Sequence, residues 1–412
     1  MEKYYYRLII MVALALTAMN VSAADVDVAT AESLASKFMK SRVRGKFLSS
    51  NATLHLTHVE KSSSDAAVAD YYVFNSSNGG SFVIIAGDDR AEQVLGYGDG
   101  TFDMATIPAN VRWWLGEYKR QIEYLRTVEQ ADARPAPRQV RAPSRIAPVA
   151  PLLTSTWSQD EPYCNQCPEY QGQLSATGCI ATALAQVMYY WKYPAELPAL
   201  PAYVTISKAI NVPALPGTQL DWDNMLDSYS RGRYTYEQGE AVATLMRYCG
   251  QACYMDYTPE ASAAWEEDQL GALKRFGYNP DGVCIYRDDM DDDKWEELLQ
   301  QDLSEGHPVL YTGNSMESGH AFVLDGYADG KYHVNWGWGG SHDGYFALDA
   351  MGTSNVYGSF EFNYNQRMLY GVYPVEDGAS IARYDFEQDI SSRVTRSPSP
   401  SVTTIIIAIA VL

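Results

Sequence analysis

The sequence predicts an α+β protein in two parts. Three observations carry this: a Pro- and Arg-rich stretch over residues 133–151, a change of charge across it, and a different pattern of elements on each side. The chain has 412 residues, more than one minimal core needs. Its 31 Lys+Arg against 51 Asp+Glu give a formal net charge of −20. A phosphate backbone would repel such a chain, which excludes nucleic-acid binding through bulk charge. A hydrophobic content of 46% is that of a globular protein.

Residues 1–23 read as a secretory signal peptide. Lys3 and Arg7 precede an apolar run from Leu8 to Ala18, too short to span a bilayer, and Val21-Ser-Ala23 offers small residues for cleavage. The expected location is therefore outside the cytoplasm of a bacterium: secreted, periplasmic or at the cell surface. No later run is long enough for an integral membrane span. The apolar end of the tail, residues 403–412, has no role that the sequence assigns.

Residues 24–132 read as a small α+β domain. Leu34, Ala35, Phe38 and Met39 form a helical stripe. Tyr71-Tyr-Val-Phe-Asn75 and Ser81-Phe-Val-Ile-Ile-Ala-Gly87 read as strands joined at Asn78-Gly-Gly80. Val111, Trp114, Leu115, Tyr118, Ile122 and Leu125 recur at helical spacing after Pro108. No catalytic constellation is visible in this domain. Residues 24–145 hold 15 basic and 15 acidic side chains, whereas residues 146–412 hold 14 and 35, so the acidity lies in the second part. Between them, residues 133–151 carry four Arg, five Pro and no acid, the composition of an extended, protease-sensitive linker.

The chemistry lies in residues 152–376. Ser175-Ala-Thr-Gly-Cys179 runs into a strong helix former, which puts Cys179 at the first helical turn. Free N–H groups and the helix dipole there stabilise a thiolate. A nucleophilic thiol needs a base. His307 reads as structural and His342 lies in a Gly-rich loop, whereas His320 opens a strand. Asp329-Gly330 is a hairpin turn signal. A two-residue turn pairs Ala328 with Lys331, and even positions of the first strand then share a face with odd positions of the second. His320 and Asn335 are thus expected on one face and Trp336 on the other. His333 shares the His320 face, so parity does not exclude it as the base. The strict turn leaves His320 about four residues from Asn335, so a bulge or a longer loop must bring them together. Asn335 is the candidate to orient the imidazole. Gln159, with the Cys179 backbone N–H, is the candidate oxyanion donor.

These residues, with their neighbours, resemble the streptopain family of papain-like cysteine peptidases. The resemblance rests on Trp157-Ser-Gln159, Ala176-Thr-Gly-Cys179-Ile-Ala-Thr-Ala, Ala185-Gln-Val-Met-Tyr-Tyr-Trp-Lys-Tyr-Pro194, Gly306-His-Pro-Val-Leu-Tyr311, Gly319-His-Ala-Phe-Val323 and His333-Val-Asn-Trp-Gly-Trp-Gly-Gly340. It extends to the first domain through Gly80-Ser-Phe-Val-Ile-Ile-Ala-Gly-Asp-Asp-Arg90, which is similar to the family's propeptide. It implies a papain-like catalytic domain of a helical part and an antiparallel β part, preceded by an inhibitory propeptide. It implies Cys179 as nucleophile, His320 as base, Asn335 as orienter, Gln159 as oxyanion donor and Trp336 as a shield for the His–Asn bond. Ser262 and Gly319 match positions lining the substrate cleft. The implied partners are protein or peptide substrates, the chain's own propeptide and an activating protease. No cofactor or metal is implied.

Two features depart from the family pattern. Ala261 stands where the family usually has Gly, and Cys164 creates Cys164-Asn-Gln-Cys167. With Cys249 and Cys253 that set admits a zinc site, local disulfides or buried thiols. Two other functions compete with the peptidase: a papain-like amidase acting on cell-wall peptides, and a relic binding protein. The presence of all four catalytic residue types argues against the relic.

Overall fold

The computed structural model describes residues 25–42, 53–131, 146–290, 292–314, 319–350 and 366–375. The signal peptide, most of the linker and the tail after residue 375 lie outside the described residues. Helix α1 (Val28–Ser41) starts at Asp27, whose carboxylate accepts the Thr30 N–H at 2.7 Å. Strands β1 (Leu54–Lys61), β2 (Ala69–Ser76), β3 (Ser81–Ala86) and β4 (Val94–Asp99) form an antiparallel meander, followed by helix α2 (Ala109–Ala131). After the linker come α3 (Cys179–Trp191), α4 (Tyr236–Ala252), α5 (Glu266–Arg275), β5 (Val283–Tyr286) and α6 (Asp292–Ser304). Strands β6 (Val309–Asn314), β7 (Gly319–Ala328), β8 (Lys331–Asn335), β9 (Gly344–Phe346) and β10 (Arg367–Tyr370) complete the fold.

The two parts share one sheet. Ten strands run in the order β1-β2-β3-β4-β9-β8-β7-β6-β10-β5, and the join is β4 against β9, Tyr97 opposite Tyr345 and Gly96 opposite Phe346. A Cβ on Gly96 would stand 2.7 Å from the Phe346 ring, so the join requires glycine there.

Strand β7 is buried on both faces, which explains its nearly continuous apolar sequence. Ala321 and Val323 belong to the core built from α3, α4 and α5. Phe322 and Leu324 belong to a second core built from α6 and, from the N-terminal domain, α2 with Trp114, Leu115, Tyr118 and Ile122. Helix α3 and the N-terminal domain therefore cover opposite faces of the same strand. No helix among the described residues is long and apolar enough to cross a membrane.

Candidate active site

Cys179 is the first residue of α3, as its Gly-Cys context predicts. Gly178 before it has φ +84°, and a Cβ there would lie 2.9 Å from the Met255 thioether and from the Ser262 carbonyl oxygen. Only glycine makes this turn. Two buried side chains and one main-chain bond hold the turn from outside. Ser262 Oγ donates to Ala176 O at 2.7 Å, Gln269 Nε2 donates to Ile180 O at 2.9 Å, and the Thr177 N–H donates to Gln159 O at 3.2 Å. Ser262, expected at the cleft wall, is 1% exposed and spends its hydroxyl on this loop. Gly319, its companion in that expectation, opens β7 opposite Asn314.

The sulfur of Cys179 accepts the Ala321 N–H at 3.5 Å. His320 is the residue immediately before Ala321, so candidate base and nucleophile meet at the start of β7. The imidazole, however, stands on the other face. Its ring lies beside Phe322 and Trp338, and Nε2 is 3.0 Å from Trp336 O. A carbonyl can only accept, so Nε2 carries the proton in this pair. Burial drives the His320 pKa down from 6.5 to about 4, against the opposing hydrogen bond to Trp336, and the ring is neutral at ordinary pH.

The expected shared face of His320 and Asn335 is not found, and the reason is the bulge that brings β7 and β8 into range. The two-residue turn is present, with Asp329 and Gly330 both at positive φ and Ala328 opposite Lys331. At Asp325 the register shifts, and Val323 faces Asn335. One extra residue reverses the parity of every position beyond it. Asn335 thus stands on the Cys179 face, where Nδ2 donates to Ser155 O at 2.8 Å and Gln186 Oε1 at 3.1 Å. Trp336, expected opposite His320, shares its face instead. Its ring packs against Phe322, Phe346 and Trp114, and the imidazole is held by its main-chain carbonyl. A bulge was one of the two anticipated ways to close the gap, but its place was not legible because Asp325 is recruited from outside the hairpin. Its carboxylate takes the Leu153 N–H at 3.0 Å and His333 Nδ1 at 2.6 Å, and its carbonyl takes the Leu152 N–H at 2.8 Å. The same contact removes His333 as a candidate base for Cys179.

Gln159 is 4% exposed, and its Nε2 has no hydrogen-bond partner among the described residues. A buried, unspent amide donor on the segment hydrogen-bonded to Thr177 is suited to a developing oxyanion.

Two residues that the sequence reading passed over link the site to the N-terminal domain. Trp338 Nε1 donates to Asn110 Oδ1 at 2.9 Å. His342 packs edge-on against Phe102, 4.8 Å between centroids, with Nε2 3.4 Å from Asp103 O. The signal available for both was the aromatic and Gly-rich run after Asn335. Cys164, Cys167, Cys249 and Cys253 are buried thiols outside any disulfide. Among the described residues one group, Asp302, Glu305 and His307, gathers three potential metal-ligand atoms within 4.8 Å, and the buried Asp302 already uses its oxygens on His307 and the Gly371 N–H.

Fold and site together define a cysteine peptidase precursor that still carries the domain covering its β part. Residues 157–346 match the peptidase C10 family, and residues 23–122 match the Spi protease inhibitor. Streptopain of Streptococcus pyogenes is 37% identical over 336 residues, spanning 74% of this chain and 81% of that protein. A fragment of prointerpain A from Prevotella intermedia superposes with a TM-score of 0.65 at 34% identity, over 79% of this chain and 99% of that one. Active interpain A from the same organism superposes with a TM-score of 0.50 at 38% identity, over 57% of this chain and all of that one. The chain belongs to the peptidase C10 family: it is a cysteine-type endopeptidase of papain-like fold, made as a zymogen with an N-terminal inhibitor domain.

Proposed function

We propose that Cys179 is the nucleophile and His320 the general base of this endopeptidase, and that the geometry described above is the latent state. The observation that carries the reading is the hydrogen bond from the Ala321 N–H to the Cys179 sulfur. It places the thiol one residue from the imidazole, while the imidazole is engaged on the face covered by α2. Activation then needs no change in the strand that carries His320. It needs His320 to leave the Trp336 carbonyl and turn to the Cys179 face once the N-terminal domain departs.

In the active arrangement His320 takes the thiol proton, and the resulting thiolate at the helix N-terminus attacks the scissile carbonyl. The oxyanion is met by the Cys179 backbone N–H and Gln159 Nε2. The imidazolium returns its proton to the leaving amine, and water attacks the thioester with His320 again acting as base. Asn335 acts through the corner it holds rather than by touching the ring. The Trp336 ring closes the corner from below. Ser262 and Gly319 bound the cleft through their backbones. The substrates are proteins or peptides.

The maturation scheme belongs to the same proposal. Residues 1–23 direct export, residues 24–132 inhibit, cleavage within residues 133–151 by the enzyme itself or an activating protease releases them, and residues 152–376 form the mature body. Purified residues 24–412 test it: self-processing and casein hydrolysis should both appear and both stop on thiol alkylation. Activity unchanged by alkylation sinks the proposal, and hydrolysis of cell-wall fragments in place of casein would favour the amidase.

A further inference from the structure

Gln186 lies seven residues after Cys179 on α3, two turns along and on the same side of the helix. Its side chain is 1% exposed, and its amide is committed at both ends. Oε1 accepts from Ser155 Oγ at 3.0 Å, the Trp157 N–H at 3.1 Å and Asn335 Nδ2 at 3.1 Å. Nε2 donates to Asn335 Oδ1 at 3.0 Å. Asn335 completes the set, with Nδ2 on Ser155 O and Oδ1 accepting the Gly337 N–H at 3.1 Å. The backbone N–H groups of Trp157 and Gly337 can only donate, so they fix which end of each amide is oxygen.

Two segments proposed to act in catalysis hang on this pair of amides. Gln159 follows Trp157 by two residues. Trp336, whose carbonyl holds His320, lies between Asn335 and Gly337, both of which are in the network. We infer that Gln186 is a positioning residue that sets the oxyanion segment and the Asn335–Gly337 corner beside His320 in register with the nucleophile helix. Among the described residues, none of its side-chain hydrogen bonds is to the N-terminal domain, so the clasp is the part of the site that persists when that domain leaves. The inference rests on the roles proposed for Cys179, His320 and Gln159. A misplacement of about 1 Å in such a constellation costs on the order of 10²-fold in rate.

Gln186→Glu tests it. Ionised, the new side chain still accepts from Ser155 and Trp157 but sets a carboxylate oxygen against Asn335 Oδ1. Protonated, it regains the donor. The full chain would be matured, its active sites counted by labelled iodoacetamide, and kcat and KM measured on a fluorogenic peptide from pH 4.5 to 8.5. Per titrated site, the ratio of variant to wild-type kcat should be down about 10²-fold at high pH, with KM within about threefold. It should recover as the introduced carboxyl protonates. Gln186→Met, which has neither donor nor acceptor of that strength, should be slow at every pH. If Gln186→Glu has wild-type kcat per site at high pH, or Gln186→Met at any pH, and the variant differs only in Tm, Gln186 is a packing residue and the inference falls. If the wild-type chain itself hydrolyses peptide independently of its thiol, the peptidase roles fall first and the inference with them.

Discussion

The rings of His320 and Trp338 lie 5.9 Å apart and 12° from parallel, and Trp338 is in turn hydrogen-bonded to Asn110 of the inhibitor domain. The proposed base is thus stacked on a residue that the inhibitor domain holds. Asn110→Ala should loosen this hold by about 1 kcal/mol, because it removes the acceptor of a half-buried indole N–H. Self-processing of the precursor should quicken by roughly tenfold, followed as the loss of full-length chain on a gel. An unchanged rate would separate Trp338 from latency.

Cys179→Ala should abolish proteolysis and self-processing yet leave a folded precursor, since Ala321 loses only a weak acceptor. His320→Ala should lose about 10³-fold or more, because the general base and the ion-pair partner disappear together. The measurement is casein hydrolysis beside circular dichroism. Near-normal rates in either variant would overturn the assignment.

Gln159→Ala should lower kcat by about 10²–10³-fold with little change in KM, as expected for a donor used chiefly in the transition state. Its buried Nε2 has no hydrogen-bond partner to lose among the described residues, so thermal stability should change little. A fall in stability with normal kcat would assign Gln159 to packing.

Acid should weaken latency. The pKa of His320 is pushed from 6.5 to about 4 by burial, so the latent site binds fewer protons than a released imidazole between those values. Its contribution to latency is full above about pH 6.5 and is lost as pH falls toward 4, by about 3 kcal/mol in all. His342, lowered by burial against the opposing effect of Asp103, has the same sign. Asp343, raised to about 7 by burial, has the opposite sign but packs within the peptidase, on the Trp336 N–H. The protection of α2 amides in the Cys179→Ala precursor, after correction for the pH dependence of intrinsic exchange, should therefore fall from pH 7 to pH 5. Replacing His320 with Gln should flatten the dependence, and equal protection across that range would refute the linkage.

The maturation cut should fall between Arg134 and Val149. Val149 exchanges two 2.8 Å hydrogen bonds with Tyr327, and Leu152 is bonded to Asp325, so the chain from Val149 onward is already part of the β7 edge. N-terminal sequencing of the mature enzyme checks this. A start beyond Leu152 would mean that the edge is dismantled on activation.

The local chemistry of the site was readable from sequence because it depends on near neighbours. Gly178 before Cys179 gives the helix start, and Asp329-Gly330 gives the turn. The face of Asn335 was not readable, because Leu152 and Leu153, more than 170 residues away, draw Asp325 out of register. The single sheet was also hidden. Its clue was Gly96-Tyr-Gly98, two glycines in a strand whose missing side chains admit Phe346 and Phe82. That is a signal of close approach which does not name the partner.

The join of β4 to β9 makes the inhibitor domain part of the enzyme's own interior. Tyr118 Oη donates to Ala347 O at 2.5 Å, and Trp114 packs against Trp336 and Phe322. Departure of the domain bares a strand edge and an aromatic floor that were assembled together with it. The chain therefore folds on a template that its finished form no longer possesses. Unfolded mature enzyme should regain its shape poorly unless the severed domain is returned to it, which makes activation a one-way step in the life of the molecule.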